Sequence, residues 1–147
     1  MKSRMDDALA HAKNRALLLS HCDSDYIIHI STKELGISSE RDGAEYVRNA
    51  ASILCSTPGQ KLTNGVYMAV GLMGEERVGE NQVSQAIRDA IHEAWGERDE
   101  DIWACYFPIG APGLTKCPTN NQFLMALVDY VKIWKAFCGE VNYEKSC

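Results

Sequence analysis

The sequence has no closely paired cysteines, no long apolar run and no dense stretch of Lys and Arg. Each absence removes a class of protein. Structural zinc sites show spacings such as Cys-x2-Cys, and no two of Cys22, Cys55, Cys105, Cys117, Cys138 and Cys147 are that close. A membrane helix needs about 18 uninterrupted apolar residues, so no membrane partner is expected. The neighbouring basic residues at 2–4 and 132–135 are too sparse to neutralise the several phosphates that drive nucleic-acid binding. With 15 Lys and Arg against 20 Asp and Glu, a net charge of -5, no nucleic-acid partner is expected either.

Other signatures are missing too. There is no Gly-Lys-Ser or Gly-Lys-Thr phosphate loop, no Gly-x-Gly-x-x-Gly, no Gly-x-Ser-x-Gly nucleophile elbow and no internal repeat. The basic N-terminus resembles the start of an export signal, but Asp6, Asp7, His11, Lys13 and Arg15 interrupt the apolar stretch that should follow. A cytoplasmic protein with reduced thiols is therefore expected.

What is present is an ordinary globular composition, 46% hydrophobic and 24% charged, in a chain sized for a single globular domain over 1–147. Met5, Leu9, Ala12, Ala16 and Leu19 fall on one face of a helix over 2–20. Asp42 followed by Glu45 reads as a capping box opening a helix through Ala44, Val47, Ala51 and Leu54. Val83, Ile87, Ile91 and Ala94 define a helix over 81–95 stopped by Gly96. Phe123, Leu127, Tyr130, Trp134 and Phe137 define another, capped by Asn120 or Asn121 and ended at Gly139.

Three segments read either way. Residues 25–31 contain the β-branched Ile27, Ile28 and Ile30, but lie between an Asp23 or Ser24 cap and Gly36. Residues 66–73 hold helical spacing behind Thr63, although Asn64-Gly65 also suits a hairpin turn. Residues 102–107 are short and apolar. The expected fold is mainly α, a compact domain of about four to six helices. The alternative is α+β, with a small sheet from 25–31, 66–73 and 102–107.

For chemistry, His21, Cys22, Asp25 and His29, with Asp23 among them, are the densest set of potential ligands or nucleophiles. A metal-dependent or thiol hydrolase using them is one reading. On a helix, only Asp25 and His29 share a face, so no metal site, catalytic residue or cofactor is assigned. His92 and Glu93 read as a solvated face, and Gly71, Gly74 and Gly79 as a flexible turn beside Glu75, Glu76 and Glu80. The segment 32–38 faintly suggests the turn of a helix-turn-helix. The acidic Glu40, Asp42 and Glu45 that follow favour a plain helix corner instead.

Trp103, Tyr106 and Phe107, next to a Pro/Gly loop containing Pro108, Pro112 and Cys117, are rigid aromatics suited either to a core or to anchoring a partner. A small-ligand cleft lined by Trp103, Tyr106 and Trp134 is a further option. The leading expectation is a small acidic protein without catalytic activity. It works by binding another protein as an inhibitor or adaptor, homo-oligomers included, through Trp103, Tyr106, Phe107, Pro108, Pro112 and Cys117.

Overall fold

The computed structural model describes residues 23–57, 59–107 and 116–146, with side chains up to 136. Among the described residues there are six helices and no strand. They are α1 (Ser24–Glu34), α2 (Asp42–Ser56), α3 (Asn64–Gly71), α4 (Glu80–Gly96), α5 (Glu100–Tyr106) and α6 (Asn120–Ser146). The fold is mainly α, as the periodicities indicated. The expected helix over 2–20 lies outside the described residues.

The small sheet is overturned, because each of its three segments is helical. Asp23 caps α1 by accepting from the Tyr26 N–H at 2.9 Å. Gly36, at φ +87°, closes α1, with its N–H donating to Lys33 O and the Ile37 N–H to Thr32 O. That pair of bonds is a Schellman closure, and glycine fits it because it lacks a Cβ. In α3, Asn64-Gly65 is the first turn, and Val66 and Val70 face inward. In α5, Asp99 accepts from the Asp101 and Ile102 N–H groups, and Trp103 and Tyr106 face inward at a spacing of three.

Helix capping also differs at two places. Asp42 lies inside α2, whose cap position is Arg41 without a side-chain cap bond. The reciprocal capping box is instead at the start of α6. The Gln122 N–H donates to Thr119 Oγ1 at 3.1 Å, and the Thr119 N–H donates to Gln122 Oε1 at 3.0 Å.

Helix α2 is the hub of the structure, packing against α1, α3, α4 and α6. Its inward residues Ala44, Val47, Ala50, Ala51 and Leu54 are fully covered, as are Val83, Ile87 and Ile91 of α4 and Phe123, Leu124 and Leu127 of α6. Each of these larger side chains contributes about 1.5–3 kcal/mol by leaving water. Helix α5 is tied to the end of α1, where Trp103 Nε1 donates to Leu35 O at 3.1 Å and the Tyr106 hydroxyl to Glu34 Oε2 at 2.9 Å.

The approach of α2 to α4 is unusually close. A Cβ on Gly43 would sit 2.6 Å from Ala86 O and 2.9 Å from Ala90 Cβ. Asn120, at the start of α6, then ties two other helices together. Its Nδ2 donates to the Tyr67 hydroxyl on α3 at 3.2 Å and to Ser84 O on α4 at 3.0 Å.

Substitutions at Gly43 and Asn120, with Gly96→Ala as control, test these contacts by denaturant unfolding. Gly43→Ala should destabilise the fold, because about 1–3 kcal/mol of overpacking exceeds the ~1 kcal/mol that alanine gains as a helix former. Gly96→Ala, whose Cβ would meet open space, should not. Asn120→Ala should cost about 1–3 kcal/mol, and the near-isosteric Asn120→Asp no less, since it has no N–H to donate. An unchanged unfolding midpoint in either Asn120 variant would show that the side chain does not tie α3 to α4.

Candidate nucleic-acid interface

Helices α3 and α4 are consecutive, packed on each other and joined by residues 72–79. The glycines of this connector have definite work. A Cβ on Gly71 would collide with the Val78 carbonyl oxygen, and the Val78 N–H donates to Gly71 O at 3.0 Å. The chain therefore returns against the end of α3 before α4 starts, and the half-buried Val78 packs on the core.

Helix α4 buries Val83, Ile87, Ala90, Ile91 and Ala94 on one side. At 3.6 residues per turn, Asn81, Gln85, Arg88, Asp89 and His92 fall within about 100° of arc on the other side, with Gln85 close to its centre. All five are exposed, as is Gln82 on the flank. Gln85 Nε2 donates to Asp89 Oδ1 at 2.8 Å. At the start of the helix the cap position is Gly79, with no side-chain cap bond and open space around its α-carbon. The first turn carries Glu80, which lines a shallow hollow together with Arg77.

Charge divides the two flanks of this helix. On the Gln82 side, Asp42, Glu45, Glu75 and Glu76 surround a pocket of about 250 Å³ that also contains Tyr46. Burial, followed by the nearby Asp42 and Glu45 carboxylates, pushes the Tyr46 hydroxyl above its ordinary value. An anion is repelled there. On the other flank, Met68, Leu72, Arg77, Val78, Gly79 and Glu80 line a shallow, more apolar hollow. Arg88 acts on the Cys117 thiol, which places its charge near the exposed Lys116. The outward face of α4 thus carries amides, Arg88 and Asp89, with Glu80 in its first turn, while four carboxylates gather behind its connector.

The residues singled out in the sequence are placed elsewhere. Trp103 and Tyr106 are buried in the core, and Phe107 and Cys117 are half-buried against it. Phe107 stacks on Trp103 with ring centroids 5.4 Å apart, whereas Pro108 and Pro112 lie outside the described residues. Trp134 meets Tyr130, which in turn packs on Tyr106 at 4.0 Å. In the proposed hydrolase cluster, His21 and Cys22 lie outside the described residues. Asp23 caps α1, Asp25 accepts from Ser52 Oγ at 2.7 Å and His29 is half-buried.

Among the described residues, no group of three or more His, Cys, Asp and Glu could hold a metal ion. Burial raises the thiols of Cys55 and Cys117 above their ordinary value, against the pull of nearby Lys and Arg. That is opposite to the activation a nucleophile needs. Among the described residues, no helix is long and apolar enough to cross a membrane.

Asn81, Gln82, Gln85 and Arg88 were missed because the periodicity of 81–95 was used only to find the buried stripe. The same wheel, turned over, displays them. Residues 35–41 join α1 to α2, and α3 and α4 form a second consecutive pair further along the chain.

No curated protein matches the chain. The family model of the sporulation initiation factor Spo0A C terminal matches residues 28–131, more than two thirds of the chain and nearly all of the helical core. That domain of Spo0A is a DNA-binding helical domain of a sporulation transcription factor. The match corrects two expectations, that of a protein-binding adaptor or hydrolase and that of no nucleic-acid partner. The second rested on net charge and sparse basic residues, and a charge sum averages over the whole surface and says nothing of how one helix face is furnished. The first rested on the aromatics beside the Pro/Gly loop, of which Trp103 and Tyr106 are core. By this match over α1 to α5 and the first half of α6, the chain belongs to the Spo0A C-terminal family.

Proposed function

We propose that this chain is the DNA-binding part of a transcription regulator of the sporulation-initiation type, acting in the cytoplasm, and that α4 enters the major groove. Helix α3 and the glycine connector hold α4 at the surface, as the first helix and turn of a helix-turn-helix do for a recognition helix. The observation that carries this reading is the outward face of α4. Asn81 and Gln85 each offer a carboxamide that can pair with adenine N6 and N7, and Arg88 a guanidinium that can pair with guanine O6 and N7.

Backbone contacts would set the register. Arg77 and Lys116 supply the charge for them, against Glu80 in the first turn of α4. The four carboxylates around Tyr46 would keep phosphates off the Gln82 flank. Binding of this kind depends less on charge than is usual for an HTH protein, and more on neutral hydrogen bonds to base edges.

A duplex pool with a randomised core tests the reading, with selection followed by fluorescence anisotropy on the full chain. A preferred sequence should emerge, and the slope of log K against log salt should be shallow, about -2 if Arg77 and Lys116 each neutralise one phosphate. Gln85→Ala and Arg88→Ala should each lose about 1–3 kcal/mol of discrimination at one base pair. Absence of any duplex binding at low salt, from protein shown to be folded, would overturn the proposal.

A further inference from the structure

Gln85 lies near the middle of the outward face of α4, and Asp89 is one helical turn beyond it. A glutamine carboxamide has one acceptor oxygen and one donor nitrogen, and in water it turns over readily because the two ends have the same shape. Here the nitrogen end is held, Nε2 donating to Asp89 Oδ1 at 2.8 Å. An ionised carboxylate only accepts. Turning the Gln85 amide over would set Oε1 against the Asp89 oxygen, two acceptors facing each other. One orientation is therefore selected, with Oε1 and the second N–H of Nε2 left for a ligand. An acceptor and a donor side by side match the N6–H and N7 of adenine.

We propose that Asp89 is a positioning residue that orients the Gln85 carboxamide on α4 and so makes it select adenine at one base pair. This deepens the DNA-binding reading given above and rests on it. Asp89 also places a negative charge on the face that approaches phosphates, which lowers affinity for every duplex alike. Orientation and charge therefore leave different traces. Loss of orientation changes preference at one base pair, whereas loss of charge changes affinity at all sequences together.

Wild type, Asp89→Asn, Asp89→Glu, Gln85→Ala and the double variant Gln85→Ala/Asp89→Asn would be titrated against the selected duplex, and against duplexes carrying each of the other three base pairs at every position in turn. Asparagine both donates and accepts, so it tolerates either amide orientation. In Asp89→Asn, the adenine preference should fall from the roughly 5- to 150-fold of a bidentate contact toward parity at that one position, while overall affinity rises. Asp89→Glu remains acceptor-only at the same spacing and should keep the preference. In the Gln85→Ala background, Asp89→Asn should raise affinity without altering any base preference. Thermal midpoints should be unchanged throughout, since both side chains are exposed.

Wild-type sequence preference that survives intact in Asp89→Asn overturns the positioning role and leaves the DNA-binding reading standing. So does a preference change of equal size in the Gln85→Ala background. A wild-type chain that binds none of the duplexes overturns the DNA-binding reading, and the positioning role with it.

Discussion

The close contact of α2 with α4 at Gly43 is the constraint on which the arrangement depends. Gly43 leaves room for the Ala86 carbonyl and the Ala90 methyl, so the two backbones approach more closely than larger side chains would allow. With α4 pressed onto the hub helix by Val83, Ile87 and Ile91, its rotation about its own axis is set. Gln85 then lies opposite the buried stripe. The Asn120 bonds to Tyr67 and Ser84 and the Arg41–Glu93 ion pair at 3.0 Å act on an orientation already chosen by packing. The ion pair is exposed and contributes little by itself.

The second theme is how an acidic chain can carry a face suited to DNA. Carboxylates are concentrated around Tyr46, behind the connector, where Asp42 and Glu45 from α2 meet Glu75 and Glu76. The outward face of α4 bears amides, an arginine and an aspartate whose oxygen is already engaged by Gln85. Neutral carboxamides add nothing to a charge count, yet they are among the side chains best matched to a base edge. A sum over the whole sequence cannot reveal them.

Much of the fold was legible because buried stripes leave a period in the sequence. Val83, Ile87, Ile91 and Ala94 could only be one side of a helix, and Phe123 and Leu127 marked another. The short elements were less legible, for a physical reason. Residues 26–30 hold three β-branched isoleucines, and their helical state is decided by a cap at Asp23, a Schellman closure at Gly36 and cover from neighbouring helices. The Asp42–Glu45 pattern was a false capping box, while the true one, Thr119 with Gln122, lay one residue before the expected start. The aromatic pair Trp103 and Tyr106 could equally have been core or surface, and burial depends on what packs over α5.

Periodicity alone determined the longer helices, because the free energy of covering apolar side chains is written into their spacing, while 25–31, 66–73 and 102–107 were left open between helix and strand. It also determined which residues share a face of α4, since the helical repeat is a local property. Tertiary structure decided which face looks outward, how Gly71 and Val78 fold the connector back, and where the acidic residues of distant segments converge. Those outcomes depend on contacts between residues far apart in the chain, such as Gly43 with Ala86 and Asn120 with Ser84, and no local pattern encodes a distant neighbour.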